Sequence, residues 1–529
     1  MPRIVFPIIV VIAAMLAQSP ALGHFFRSDD YLHLYQIEDL GFWRFLVTPQ
    51  GGHIVPTAFA VFYLCRVLFD LNANPYYALA IATHGFNVYL LYRVVEKTTG
   101  RIGLALAAAF IWGTSSLNQG SIGWYSVYGH VLSGTWTLLF LYGAARVASG
   151  QGSLSRATPW LWFCCMLGAA TSFGSGIPVA MLSGPVLYLL LPDVPGRTRV
   201  VRTQSILLLV VPALFLAVHG AHYALFGTPT SPDVVARTFV GQVAGEMPSK
   251  LIEIFSMFGL LLAYGSASLL FGPLLQFSRS FLLETPWVAY GSGTAMVLAL
   301  GYSVWRMDRS VRPRALAYLL LAASCYGIIA LGRASIYSTM GHPMIEAAMV
   351  ARYHYLAQAI LAGLLALIAA EFYRPVSRAW AWVAAAAAVL LLGANWDASR
   401  SISRALPASS GEVFASTVES LEAAIQAGAK GSRVVIENQP FADPWARELI
   451  PGLAGIFLIH FPANEVDGRH IYFREKDPQQ LEFWRRVGGG RLRELLIDPD
   501  RQRERRDGRG DGAVGGRRTK RLDSQPTRG

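Results

Sequence analysis

The sequence predicts an all-α polytopic membrane protein of roughly 11 to 13 transmembrane helices, with interfacial helices in the first outer loop and a small α/β domain at the C-terminus. Three observations predict it. Apolar runs alternate with short basic loops as far as about residue 395, in a chain of 529 residues that is 53% hydrophobic and only 15% charged. The basic residues gather in every second loop. Beyond Trp396 the apolar runs stop and a mixed helix-and-strand pattern begins.

The N-terminal segment MPRIVFPIIVVIAAMLAQSPALG joins Arg3 to an apolar run and ends on Ala21-Leu22-Gly23, a passable signal cleavage site. The run is close to the ~20 residues that a spanning helix needs, so the expectation is an uncleaved first span over residues 4–22. With Arg3 cytoplasmic, this span delivers Asp29 and Asp30 to the far side. A second span near 75–95 leads to RVVEKTTGR, and a fourth near 127–145 leads to Arg146 and Arg156. Arg197, Arg199 and Arg202, then Arg306, Arg309, Arg312 and Arg314, then Arg374 and Arg378, fall on the same cytoplasmic side under the positive-inside rule.

Residues 53–71 (HIVPTAFAVFYLCRVLFDL) are apolar enough to span, but a span here would put RVVEKTTGR outside. The segment is therefore expected as a helix in the outer interface, with Arg66 snorkelling. Residues 251–283 hold two short apolar pieces that read as a two-span hairpin or as a re-entrant element. Residues 1–395 thus make a transmembrane domain and 396–500 a small extracytoplasmic α/β domain with its core at 409–500. In that domain EVFASTVESLEAAIQAGAK has helical spacing, while SRVVIENQPF and RHIYFREKD read as short strands. Residues 501–529 read as a disordered basic tail; their ten Lys/Arg and four Asp/Glu supply half of the net charge of +12. The basicity is thus no evidence for a nucleic-acid groove. Cys65, Cys164, Cys165 and Cys325 all lie in apolar runs and read as small buried hydrophobes, not as a disulfide or zinc framework.

Polar residues that a bilayer excludes gather on the outer side of this topology. The first outer loop holds Asp29, Asp30, His33, Glu38, Asp39 and, after Gln50-Gly51-Gly52, His53. Asn118-Gln119, Trp124-Tyr125 and Tyr128-Gly129-His130 follow, and GRASIYSTMGHPMIEAAMVARYHY adds Arg333, His342, Glu346, Arg352 and His354. Each has a bland reading. An Asp pair caps helices, single interfacial arginines snorkel, Trp and Tyr form interface belts, and His84 in mid-span reads as hydrogen-bonded packing. Their coincidence on one face is what suggests chemistry. Arginine and histidine donors would hold a lipid-linked phosphate while a carboxylate takes a proton from an attacking hydroxyl.

Several stretches resemble the membrane-embedded glycosyltransferases of the GT-C superfamily, such as the protein O-mannosyltransferases and aminoarabinose transferases. They are Ser28-Asp29-Asp30-Tyr31, HIVP at 53–56, LFDLNANPYYALAIATHGFNVYLLYRVVEKTTGR, SIGWYSVYGHVLSG and the Gly-Arg to Arg-Tyr loop at 332–353. The resemblance covers residues 1–150 and 325–375. It implies a polyprenyl-phosphate sugar donor and an acidic catalytic base, with Asp29 or Asp30 as candidate and Asp30 preferred as the second acid of the motif. Arg333 and Arg352, with His342, would hold the carrier phosphate; His53, His130 and Tyr128 would lie near the sugar or acceptor. The chain departs from many relatives by having Ser116-Leu117-Asn118-Gln119 where an HP-type pair closes span 3.

The expected function is transfer of a sugar to an acceptor hydroxyl of a glycan, lipid or protein on the extracytoplasmic face, in a plasma membrane of bacterial type. No cofactor is required by this scheme. The acidic pair leaves room for a divalent metal, but no ligand cluster demands one. The rival readings are a transporter or flippase of lipid-linked sugars and a non-catalytic envelope scaffold. Transporters set ionisable groups at mid-membrane and repeat their halves; a scaffold would tolerate neutralised aspartates.

Overall fold

Long apolar sequence gives long helices here, because a backbone in lipid must satisfy its own hydrogen bonds. The computed structural model describes residues 2–49, 53–192, 194–226, 231–277, 279–372, 378–405, 409–442, 447, 450–461 and 463–497. Residues 50–52, Arg374 and the basic tail at 501–529 lie outside them. Among the described residues eight helices are long and apolar enough to cross a membrane: Val5–Gly23, Ala73–Thr99, Tyr125–Ala148, Arg197–Ala221, Ser249–Pro273, Arg312–Thr339, Ala351–Phe372 and Trp382–Arg404. The chain is a multi-pass α-helical membrane protein. Shorter helices, Ile102–Gly113, Thr158–Ser172 and Gly176–Leu190, lie between these. Polar and glycine-containing stretches, Thr114-Ser115-Ser116 and Phe173-Gly174-Ser175, interrupt the apolar pattern at their ends.

The Ala73–Thr99 helix is bounded by its sequence. The Asn72 side chain accepts from the Asn74 amide, and Gly100, at φ 70°, closes the other end by donating to Glu96 O. His84 in its middle shares hydrogen bonds with Tyr355 Oη at 2.8 Å and Gly113 O at 2.9 Å, which makes it a packing residue.

Residues 251–277 form neither a hairpin nor two pieces. They belong to one continuous helix, Ser231–Phe277, followed by a short helix Arg279–Glu284. Glu253 accepts from Ser338 Oγ at 2.8 Å near the end of the Arg312–Thr339 helix, and Arg279–Glu284 packs against Met344–Ala348 just beyond that end.

The Pro56–Phe69 helix has 14 residues, about 21 Å, too short for a bilayer core. Its Arg66 does not snorkel. The guanidinium pairs with Glu38 at 2.8 Å and with Asp70, and donates to Ile459 O at 3.0 Å. Cys164 is exposed, unlike the other three cysteines; it shares a lipid-suited face with the exposed Trp160 and Leu161.

The C-terminal unit is α/β. Strands β1 (Arg433–Glu437), β2 (Glu465–Val466), β3 (Arg469–Arg474) and β4 (Leu496–Ile497) form one mixed sheet. β3 pairs in parallel with β1, Val435 opposite Tyr472, and also with β4, while β2 runs antiparallel to it. The expected boundary at 395 falls inside the Arg378–Ala405 helix, where Asn395 Oδ1 accepts from the Ser116 amide. The unit packs onto the helix Asp29–Leu40: Tyr31 stacks on Phe414, and Asp39 accepts from the Gly489 amide at 2.5 Å and the Leu492 amide at 2.9 Å. Asp39 therefore caps the helix Gly490–Leu495 from another part of the chain.

Candidate active site

The helix Asp29–Leu40 begins at Ser28, a non-glycine residue at φ 49°, so the chain turns sharply before the two aspartates. They then face different partners. Asp30 is fully buried; one oxygen accepts from the Arg27 amide at 3.0 Å, and the other from the Ser126 amide at 2.6 Å and the Ser126 hydroxyl. Burial pushes its carboxyl up to about 6 against the pull of these donors and of the Arg27 charge. Near neutral pH it is an ionised acceptor tying the start of the helix to the turn Tyr125–Val127.

Asp29 is half-buried and is left with a single weak contact from Ser28 Oγ at 3.5 Å. Its carboxyl is also raised by burial, opposed by Arg352 most strongly and then by Ser28, Arg333 and Arg27. Three guanidinium groups therefore act on this one carboxylate. Among the described residues no carboxylate lies within ion-pair distance of Arg27, Arg333 or Arg352.

The three arginines come from separate elements. Arg27 precedes the aspartates, is 9% exposed, and has a buried Nε with no hydrogen-bond partner among the described residues. Its guanidinium lies 4.9 Å from the centroid of the Trp124 ring, and that of Arg352 lies 5.0 Å from the same ring. Trp124 Nε1 is likewise buried and unpartnered. Arg352 stands in the turn Ala351–His354, which crosses Gly120 so closely that a Cβ there would meet the Arg352 amide at 2.6 Å. Any larger residue at 120 would push Arg352 away. Arg333 stands near the end of the Arg312–Thr339 helix.

His53 and His130 both pack on the Phe173 ring, with centroid distances of 5.2 Å and 3.8 Å. Burial, then Arg333 and His219, push the His53 imidazole down to about 4, so it is neutral at physiological pH. His130 shares a hydrogen bond with Ser175 Oγ at 3.2 Å and leaves its buried Nε2 free of a partner. Arg333 thus acts electrostatically on both His53 and Asp29.

The other expected residues do not join the cluster. His342 is half-exposed and meets Glu346 at 3.1 Å. Tyr128 is buried, stacks on Tyr125 and shares its hydroxyl with Thr83 Oγ1 at 2.7 Å, which commits it to packing. Sequence reasoning missed Arg27 and Ser126 and left Trp124 open between the outer-face cluster and an interface belt. Arg27 carried one signal, a charge set between Phe25-Phe26 and two aspartates. Among the described residues no group of three His, Cys, Asp or Glu has metal-holding geometry, and the surroundings of Asp29 are cationic, which suits an anion.

Fold and site together define a multi-pass membrane protein with a cationic cluster around one carboxylate at one end of its helices. Compared with protein-family models, curated proteins and solved structures, the chain matches none.

Proposed function

We propose that this chain is an integral-membrane glycosyltransferase that moves a sugar from a polyprenyl-phosphate carrier to an acceptor hydroxyl on the extracytoplasmic face. The observation that carries the reading is Asp29, a half-buried carboxylate acted on by three arginines that pair with no carboxylate among the described residues. The resemblance of residues 1–150 and 325–375 to GT-C enzymes supports it, as does the basic character of the loops at the opposite helix ends.

In this reaction Arg27, Arg333 and Arg352 hold the carrier phosphate by charge-assisted hydrogen bonds. The acceptor oxygen attacks the anomeric carbon as the carbon–oxygen bond to the phosphate breaks. The bonding electron pair leaves with the phosphate oxygen, where the guanidinium groups stabilise it, and the acceptor proton passes to Asp29. We assign the base to Asp29 over Asp30, because the Asp30 oxygens are already occupied by Arg27 and Ser126 donors. His53, neutral and near Arg333, is available to hydrogen-bond the sugar.

The base works ionised, so turnover rises with pH through the Asp29 pKa, which lies above the ordinary 3.8. Arg352 is the strongest charge holding that value down. The variant Arg352→Gln is therefore expected to move the acidic limb of kcat/KM to higher pH, measured on its residual turnover; an unmoved limb would separate Arg352 from the base. The reading itself is tested by release of polyprenyl phosphate from a panel of polyprenyl-phosphate sugars with envelope extract as acceptor source. Turnover of one donor supports it, and no turnover of any donor by the wild type counts against it.

A further inference from the structure

At the helix ends opposite the arginine cluster, the bundle holds a cavity of about 110 Å³. Four helices meet there: the last turn of Ala73–Thr99, the end of Gly129–Ala148, the end of Gly176–Leu190 and the first turn of Arg312–Thr339. Small side chains make the hollow, since Ala145 and Ala148 stand where larger residues would fill it. Its polar wall is formed by Lys97, Thr98, Ser149, Arg314 and Tyr318, and the rest is apolar.

Lys97 makes only a loose ion pair, and Arg314 makes none among the described residues. Arg314 Nε is buried without a hydrogen-bond partner, and among the described residues no carboxylate pairs with Arg314. The Lys97 side chain is 15% exposed and lies 3.8 Å from Glu96 Oε2, beyond hydrogen-bond distance, while Glu96 is engaged by Arg93 at 3.1 Å. Arg314 also stands in the first turn of a 28-residue helix, whose dipole adds positive potential. Two cations, hydroxyl donors and an apolar wall at a helix-bundle end match one ligand chemistry, a phosphodiester with acyl chains attached.

We propose that this cavity binds the headgroup phosphate of an acidic glycerophospholipid, with Lys97 and Arg314 on the phosphate oxygens and the acyl chains running along the apolar wall. The site is separate from the arginine cluster around Asp29 and does not depend on the transfer reaction.

The test uses the full-length protein in a neutral maltoside detergent. Binding of short-chain phosphatidylglycerol is measured by native mass spectrometry against phosphatidylcholine of the same chains, with inorganic phosphate as competitor. Phosphatidylglycerol is expected to bind in preference, and Lys97→Gln with Arg314→Gln to weaken it about tenfold or more. Ala148→Phe, which fills the hollow without changing charge, is expected to weaken both lipids and keeps the test open should the charge variant fail to fold. Equal retention of the two lipids, or wild-type affinity in a folded variant of either kind, overturns the proposal. Displacement of the lipid by millimolar inorganic phosphate reassigns the cavity to free phosphate and overturns the lipid.

Discussion

Asp29→Asn is expected to lower turnover by about 10²- to 10⁴-fold, the usual effect of removing a general base, while donor binding is kept or strengthened. The second half follows from charge. Asp29 is the carboxylate on which Arg27, Arg333 and Arg352 act, so neutralising it leaves their field to the donor phosphate. Asp30→Asn is expected to act differently. Its oxygens accept from the Arg27 amide, the Ser126 amide and the Ser126 hydroxyl, and an amide nitrogen at that position would face a donor. The cost is about 1–3 kcal/mol of stability, visible as a lower unfolding temperature. Parallel measurements of polyprenyl-phosphate release, donor affinity and thermal unfolding separate the two. A stable, inactive Asp30 variant beside a fully active Asp29 variant would exchange the assigned roles.

Asp39→Ala is expected to release the C-terminal unit from the first-loop helix. Asp39 is 6% exposed and accepts from Tyr35 Oη at 2.9 Å as well as from the Gly489 and Leu492 amides. Removing its carboxylate strands these donors, and charged hydrogen bonds contribute about 1.5–3 kcal/mol each. Glu38 reinforces the same junction through Arg66 and Arg491, at 2.8 and 3.2 Å. The expected result is faster amide exchange and proteolysis across residues 478–497, with the transmembrane helices unaffected; wild-type protection there would contradict the docking role. Because Asp29 and Asp39 lie at opposite ends of one helix, undocking is also expected to lower turnover with little change in donor affinity.

What the sequence made legible was what depends on composition and local pattern. Apolar length marked Val5–Gly23, Ala73–Thr99 and Tyr125–Ala148, and helical spacing and β-branched runs marked the C-terminal α/β unit. What it hid depends on partners remote in the chain. Arg66 read as a snorkelling residue because its acceptors, Glu38 and Ile459, lie 28 and 393 residues away. The difference between two adjacent aspartates rests on Ser126, 96 residues from Asp30. The segment 251–283 read as two pieces because its small and polar residues resemble a break; Gly265 instead lets the continuous helix approach Tyr326 and His354 closely. His342 stands apart from the cluster for a local reason, since Glu346, one helical turn on, meets it at an exposed site.

The central claim is that Arg27, Arg333 and Arg352 hold a carrier phosphate against Asp29. Its most direct test is the affinity of a polyprenyl phosphate, with no sugar and no acceptor present, for the wild type and for Arg27→Gln and Arg352→Gln. Each substitution removes a charged donor from the phosphate and is expected to weaken binding by about tenfold or more. Wild-type affinity in both folded variants would contradict the account.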